Sequence, residues 1–131
     1  MSTDLILMLR ALSDLTRLRL LNLLADKGNV CVCDLERAIE TGQANVSRHL
    51  AYLKNAGWVQ PRRERTWVFY SLRPELEEVA TAILTALRKE WEGQDPFRAD
   101  RVRLDTLIEG GACHSMSNVI DARVAGRTTN E

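Results

Sequence analysis

The sequence predicts a mainly α-helical domain with a small β-hairpin. Two short helices, over about residues 34–40 and 43–55, are separated by Thr41-Gly42, the tight glycine-containing turn of a helix-turn-helix. Two β-rich runs follow at 58–60 and 67–72, and the basic stretch between them predicts a hairpin. A basic hairpin directly after a helix-turn-helix is a wing, so the predicted fold is a winged helix-turn-helix.

Helical periodicity predicts the remaining elements. Apolar residues recur at intervals of three and four over residues 4–12, which predicts a first short helix. A second helix is expected to begin after Ser13, a good capping residue, and to end at Gly28. A long apolar stripe predicts a last long helix over 74–91, whose stripe faces either the monomer core or a second subunit.

The chain of 131 residues suffices for one domain with a modest core. We expect this domain to span residues 1–92. The C-terminal extension, 93–131, is expected to be largely flexible, with room for a short helix at 98–109, because its end is rich in small and polar residues. The chain shows no signal peptide and no bilayer-spanning apolar run, which predicts a cytoplasmic protein with no membrane partner.

Charge is concentrated in the middle of the chain although the formal net charge is zero. Residues 43–73 carry six basic side chains and one acidic side chain, whereas the segments on both sides are acidic on balance. A local basic block suits a surface that contacts phosphates. Charge alone leaves a solvated basic face as an equal alternative.

The helix over 43–55 and the predicted wing supply the candidate DNA contacts. Gln and Asn side chains can pair with adenine and Arg with guanine, whereas Ser, His and Lys suit phosphates. One of these residues, His49, has a second interpretation as a partly buried packing residue. The predicted DNA-binding residues are Gln43, Asn45, Ser47, Arg48, His49, Lys54, Arg62, Arg63 and Arg65.

Several separated motifs carry a family resemblance. The stretches ALSDLTRLRLL (11–21), CVCDL (31–35), VSRHLAYLKNAGWV (46–59) and YSL (70–72) occur in an order that resembles the ArsR/SmtB family of winged-helix bacterial repressors. The resemblance covers about residues 4–92. It implies a homodimer joined by the N-terminal and last long helices, bound to double-stranded operator DNA until an inducer binds.

Two positions depart from the family pattern. Leu15 stands where the family often has proline, and the wing tip Glu64-Arg65-Thr66 lacks the usual glycine. The second departure leaves the conformation of the wing tip open, although it does not alter the predicted fold.

Cys31 and Cys33 form the candidate metal site. Thiolates are soft ligands that suit thiophilic ions. Residues i and i+2 of a regular helix point about 200° apart, so chelation by this pair requires an extended or distorted backbone at the helix start. A helix N-terminus is also expected to lower the pKa of these thiols. The alternative interpretation is a pair of small buried packing residues.

In the arsenic-sensing branch of the family, this segment resembles CVCDLC, with three thiolates that bind As(III). Glu36 stands at the third position here. The resemblance therefore implies Cys113, water or a small thiol as the third ligand. As(III) is the expected inducer and Sb(III) a second candidate. Cd(II) and Pb(II) are alternatives, which the absence of cysteine from residues 1–30 disfavours.

Redox sensing and enzymatic catalysis are two other classes of function. A redox or persulfide sensor of the same fold would join Cys33 to Cys113 through a disulfide or polysulfide bridge. An enzyme is not expected, because the chain has two histidines and shows no Ser-His-Asp set, phosphate-binding loop or paired catalytic carboxylates.

Overall fold

The computed structural model describes residues 3–111, which form six helices and one three-stranded antiparallel sheet. The helices are α1 (Thr3–Ala11), α2 (Leu15–Lys27), α3 (Val32–Ile39), α4 (Gln43–Asn55), α5 (Glu78–Trp91) and α6 (Phe97–Glu109). The strands are β1 (Asn29–Cys31), β2 (Val59–Glu64) and β3 (Trp67–Leu72), in the spatial order β1-β3-β2. The predicted winged helix-turn-helix is confirmed, with α3 and α4 as the helix-turn-helix and the β2–β3 hairpin as the wing.

Strand β1 is an element that the sequence pattern did not reveal. Its three residues are too few to show the alternation of a half-buried strand. It pairs antiparallel with β3, so that Asn29 lies opposite Ser71 and Cys31 lies opposite Phe69. Strand β2 is longer than predicted and lies at the sheet edge, where Pro61 is tolerated because no further strand requires its missing N–H.

The wing tip closes without the glycine that is usual in the family. Glu64 pairs with Trp67, so Arg65 and Thr66 alone form the turn. Arg65 has φ of 60°, in the left-handed region where a residue with a Cβ atom is strained by about 1–2 kcal/mol. The hairpin therefore forms as predicted, with an arginine in a strained backbone conformation.

Two helices begin later than predicted. Asp14 rather than Ser13 caps α2, and its carboxylate accepts a hydrogen bond from the backbone N–H of Arg17 at 3.0 Å. Helix α5 begins at Glu78 rather than at residue 74. The preceding residues form a turn in which the guanidinium of Arg73 donates to the Glu75 carboxylate at 2.8 Å.

The hydrophobic core joins the helices to the sheet. Trp58, just before β2, is fully buried, and its indole N–H donates to the carbonyl of Met8 in α1 at 2.9 Å. Leu21 and Leu24 of α2 lie in this core, together with the apolar stripe of α4, which consists of Val46, Leu50 and Leu53.

Helix α6 packs onto the domain rather than extending away from it. Phe97 and Leu104 are buried, and the Phe97 ring stacks on Trp91 with centroids 4.5 Å apart. The helix expected within 98–109 therefore joins the folded part of the protein. The remainder of the predicted flexible extension, residues 112–131, lies outside the described residues.

A buried ionic cluster, which we call the α3 clamp, fixes the C-terminal end of α3. The fully buried carboxylate of Asp100 in α6 accepts two hydrogen bonds from Arg19 in α2, both at 2.8 Å. Arg19 also donates to the carbonyl of Ile39 at 3.0 Å, and Arg103 donates to the carbonyl of Ala38 at 2.5 Å. Two guanidinium groups thus satisfy carbonyls that a helix end leaves unpaired.

Large apolar side chains remain exposed on α1 and α5. Ile6 and Leu9 of α1 are 44% and 37% exposed, and Val79 of α5 is 42% exposed. Ala80 and Leu84 of the same α5 stripe are buried in the core. The stripe therefore divides between the monomer core and the surface. No helix in residues 3–111 has the length and hydropathy needed to cross a membrane.

Candidate thiol site and nucleic-acid interface

The two cysteines lie where the sheet meets the helix-turn-helix. Cys31 is the last residue of β1 and the residue that precedes the first turn of α3, whereas Cys33 lies within that turn. The backbone of Cys31 is extended, with φ of −68° and ψ of 143°. The structure therefore has the extended backbone at the helix start that chelation by this spacing requires.

The Cys31 thiol is buried, which changes the expected chemistry. Burial raises the pKa of Cys31, while hydrogen bonding from the backbone and thiol of Cys33 offsets part of the rise. The nearby Asp34 carboxylate, itself fully buried, raises the pKa further. The prediction of a lowered pKa is thus wrong for Cys31, because desolvation outweighs the helix terminus. A metal ion would have to displace the thiol proton as it binds.

A groove of 560 Å³ opens beside the thiols, between α3, α4 and the wing; we call it the thiol groove. Glu36, which stands at the position of the third cysteine in the CVCDLC pattern, lines the groove, and burial raises the pKa of its carboxyl group. The other residues that line the groove are Cys31, Val32, Cys33, Gln43, Ser47, Leu50, Pro61, Arg63, Thr66, Trp67, Val68 and Tyr70.

Cys113, one candidate for the third ligand of the predicted metal site, is not among the residues that the structure describes. Cys113 lies beyond residue 111, and so does the neighbouring His114. Within residues 3–111, no group of three or more His, Cys, Asp and Glu side chains is arranged to hold a metal ion. The described part of the site therefore consists of two thiols and the groove beside them.

Strand β3 connects the thiol segment to the wing. Cys31 pairs with Phe69 on one side of this strand, and Arg62 of β2 pairs with Phe69 on the other. The guanidinium of Arg62 also lies over the Phe69 ring, 4.9 Å from its centroid. A thiol and a predicted DNA-contacting cation thus share one neighbour, which the sequence could not show without the strand β1.

Helix α4 presents most of the predicted DNA-reading side chains to solvent. Gln43, Ser47, Arg48 and Lys54 are exposed, and Asn45 is half-buried. The Arg48 guanidinium donates to the Asn45 side-chain oxygen at 2.5 Å, so these two polar groups already hold each other in position. The exposed face supplies donors and acceptors suited to base edges and phosphates.

His49 differs from the other predicted contacts, because it faces the protein interior and is only 9% exposed. Its Nδ1 atom lies 3.3 Å from a guanidinium nitrogen of Arg17 and 3.8 Å from the Asp14 carboxylate. Arg17 also donates to the Ala11 carbonyl at 2.7 Å, and its guanidinium stacks on the Tyr52 ring at 4.0 Å. The geometry favours the packing interpretation of His49.

Arg17 is a buried residue that sequence reasoning missed as part of this interface. It connects the end of α1 and the start of α2 to the recognition helix α4. An arginine between the leucines of an amphipathic helix is ordinarily expected at the surface, so the hydrophobic periodicity did not predict the burial of Arg17. The aromatic residues Trp67 and Tyr70 of the thiol groove were recognised only as strand formers.

The three predicted wing cations are exposed. Arg62 lies 3.4 Å from the carboxylate of Glu64, whose negative charge partly offsets that of the guanidinium. Arg63 lines the thiol groove, and Arg65 occupies the strained turn at the tip. Of the three, Arg63 places its positive charge at the groove that Gln43 and Ser47 also line.

Comparisons with known proteins agree with this arrangement. Residues 14–60 match the family described as bacterial regulatory protein, arsR family. The arsenic resistance transcriptional regulator ArsR1 of Pseudomonas putida is 40% identical over 92 residues, which are 68% of this chain and 72% of the relative.

Solved structures also resemble the chain, and two of them serve as examples. HlyU from Vibrio cholerae has a TM-score of 0.60 at 30% identity, covering 67% of this chain and 91% of that one. The AntR antimony-specific transcriptional repressor has a TM-score of 0.55 at 28% identity, covering 70% of this chain and 82% of that one. From the matching motifs, the fold and these similarities together, the chain belongs to the ArsR family of bacterial regulatory proteins.

Proposed function

We propose that this protein is a metalloid-responsive transcriptional repressor, which binds operator DNA as a homodimer and dissociates when As(III) binds its thiols. The observation that carries the proposal is the position of Cys31, at the junction of the sheet and the helix-turn-helix and opposite Phe69 in the wing. The family membership and the arsenic-resistance relative support the same function.

The DNA-binding surface consists of α4 and the wing. Gln43, Ser47 and Arg48 face the major groove in this proposal, while Lys54 and the wing arginines hold phosphates. His49 does not contact DNA directly in this arrangement; it positions α4 through Arg17.

The exposed apolar side chains of α1 and α5 support a dimer through these two helices. Leu9 and Val79 belong to predicted apolar stripes, yet both remain more than a third exposed in the monomer, and so does Ile6 of α1. Burial of such side chains against a second copy would contribute about 25 cal/mol per Å² of apolar surface. A dimer also presents two recognition helices, as an inverted-repeat operator requires.

Cys31 and Cys33 supply two soft ligands to As(III), or to Sb(III) by analogy with the antimony-specific structural relative. Drawing the two sulfur atoms onto one centre alters the first turn of α3 and the β1–β3 pairing that ends at Cys31. The recognition helix and the wing then lose the spacing that fits DNA. A coupling free energy of about 1–3 kcal/mol per site would weaken DNA binding roughly 5–150-fold.

A titration of DNA-bound protein tests the proposal. Full-length protein selects its preferred duplex from a random pool, and fluorescence anisotropy then measures its affinity with and without As(III), Sb(III) or Cd(II). We expect As(III) to weaken binding roughly 5–150-fold in the wild type and to have no effect on Cys31→Ser/Cys33→Ser. Cys113→Ser, measured in parallel, tests whether the candidate third thiol contributes to the response.

Two results would contradict the proposal. One is dissociation of the double serine variant from DNA upon addition of As(III). The other is unchanged DNA affinity of the wild type with all three ions. A response that disappears in Cys113→Ser as well would retain the proposal and identify Cys113 as the third ligand.

A further inference from the structure

Helix α1 is short, and its two faces have different surroundings. It has 9 residues, fewer than the roughly 12–15 below which an isolated helix is marginal in water. Met8 and Ala11, three residues apart, lie on its buried face, whereas Ile6 and Leu9 are exposed. The position of α1 therefore depends on what each of its two faces contacts.

The buried face of α1 is connected to the recognition helix through Arg17, which is itself buried. The Ala11 carbonyl, one of those that a helix end leaves unpaired, accepts a hydrogen bond from the Nε atom of Arg17 at 2.7 Å. The Nη1 atom of the same guanidinium group lies 3.3 Å from Nδ1 of His49, and its Cζ atom lies 4.0 Å from the centroid of the Tyr52 ring. His49 and Tyr52 are three residues apart and share a face of α4. One planar cation thus bridges α1 and α4.

A second contact connects the same face of α1 to the wing. The carbonyl of Met8 accepts a hydrogen bond from the indole N–H of Trp58, which is fully buried and immediately precedes β2. Strand β2 carries two of the predicted wing cations. The two elements of the proposed DNA-binding surface are therefore each joined, through one buried side chain, to the helix whose outer face bears Ile6 and Leu9.

We propose that Arg17 couples dimer assembly to DNA recognition, because a second copy fixes α1 from its exposed face and Arg17 transmits this position to α4. The inference rests on the proposed function, in which α1 belongs to the dimer interface. Burial of Ile6 and Leu9 stabilises the helix that Arg17 contacts at Ala11, and the exposed face of α4 is thereby held in place for DNA. Arg17 is a positioning residue, since it acts on α4 and not on the DNA. Because linked equilibria are reciprocal, DNA in turn favours the dimer.

A double-mutant cycle on a single half-site tests the coupling. Full-length protein is titrated onto a trace of labelled duplex that contains one half of its selected operator, so that two recognition helices cannot bind the same duplex. Leu9→Glu places a charge on the exposed face of α1 and should give a monomer in analytical ultracentrifugation. We expect Leu9→Glu and Arg17→Met each to weaken half-site binding about tenfold, and the double variant to bind no more weakly than either single variant.

Two further variants separate positioning from a direct attraction for DNA. Lys54→Ala removes a predicted phosphate contact of α4, so its effect should add to that of Leu9→Glu. Arg17→Lys keeps the charge but loses the planar fork that reaches both helices, so it should bind like Arg17→Met. A cation that only attracts phosphates would retain its effect as lysine, and wild-type affinity of Arg17→Lys would overturn the inference.

The ring of Tyr52 gives a second cycle that remains decisive if Arg17→Met fails to fold. Tyr52→Phe keeps the ring against the guanidinium group and should bind the half-site like the wild type. Tyr52→Leu should weaken binding, and its effect should not add to that of Leu9→Glu. Additive effects of Leu9→Glu with Arg17→Met or with Tyr52→Leu would overturn the inference alone. A Leu9→Glu variant that stays dimeric would overturn the α1 interface of the proposed function, and the inference with it.

Discussion

The two ends of helix α3 are held in very different ways. At its C-terminal end, the α3 clamp ties the last carbonyls to α2 and α6 through Arg19 and Arg103, with the buried Asp100 between them. At its N-terminal end, Cys31 is held by a three-residue strand pairing and borders an open groove. If the proposed ligand binds at the thiols, we therefore expect α3 to move at its N-terminal end while the clamped end stays fixed.

Removal of the α3 clamp should have the largest effect, because it would loosen the end of α3 that is held firmly. Replacement of Asp100 by alanine leaves the guanidinium of Arg19 largely buried without its bidentate partner. Loss of one member of a buried ion pair typically costs about 3–5 kcal/mol. We expect a free energy of unfolding lowered by about this amount in urea titration.

Asp105→Ala provides the matched control, because it removes an aspartate from the same helix. Asp105 pairs with Lys27, but its side chain is 46% exposed, so its loss should cost less than about 1 kcal/mol. Equal destabilisation by the two substitutions would mean that the clamp contributes nothing beyond a surface ion pair.

A new thiol near the N-terminal end of α3 tests whether the two ends of this helix differ in their affinity for As(III). Glu36→Cys places a third sulfur in the groove beside Cys33, one helical turn along α3. We expect the affinity for As(III) to rise about tenfold, or about 1.4 kcal/mol, by competition with a dithiol chelator. Introducing the thiol at the clamped end instead, by Glu40→Cys, should leave the affinity unchanged, and an equal gain in both variants would refute the assignment of the site.

The smallest predicted effect concerns His49, through which the recognition helix α4 contacts Arg17 of α2. Burial lowers the pKa of His49 below its ordinary value of 6.5; the charge of Asp14 opposes the shift, whereas those of Arg17 and Arg48 add to it. The folded state therefore binds less proton than the unfolded chain. The stability that His49 contributes is fully present above pH 6.5 and is lost as the pH falls below it.

Measurements of unfolding between pH 7.5 and about 5 check this direction. His49→Gln keeps an acceptor for Arg17 but does not titrate, so its stability should fall less steeply with acid. The change of DNA affinity with pH is a second measurement, because the two interpretations of His49 predict changes in opposite directions. A histidine that contacts phosphate would bind DNA more tightly on protonation, whereas one that positions α4 through Arg17 would weaken binding.

Much of the fold could be predicted because strong local signals coincide. Thr41-Gly42 separates two amphipathic helices, and the buried stripe of α4 follows the helical period without exception. Elements that depend on distant contacts were not predictable. Strand β1 exists only because β3 pairs with it, and the clamp joins Arg19 to Asp100 across 81 residues of sequence.

The candidate site was predictable in its chemistry but only partly in its environment. The Cys31–Cys33 spacing predicts a pair of soft ligands, and the backbone of Cys31 is extended, as chelation by this spacing requires. The direction of the Cys31 pKa shift was wrong, since burial in the tertiary fold outweighs the local effect of the helix. The ambiguity over His49 had the same origin, because its neighbour Arg17 lies 32 residues away.

Pairing of Cys31 and Arg62 with the same residue, Phe69, bears on engineering of this protein. A biosensor with a new operator would ordinarily be built by exchanging the wing and retaining the sensor segment. Here the exchange would also replace strand β3, with which Cys31 pairs, so the DNA sequence that is recognised and the proposed thiol response would change together. Chimeras should therefore be joined before Asn29 and after Leu72, which transfers sensor, recognition helix and wing as one cassette.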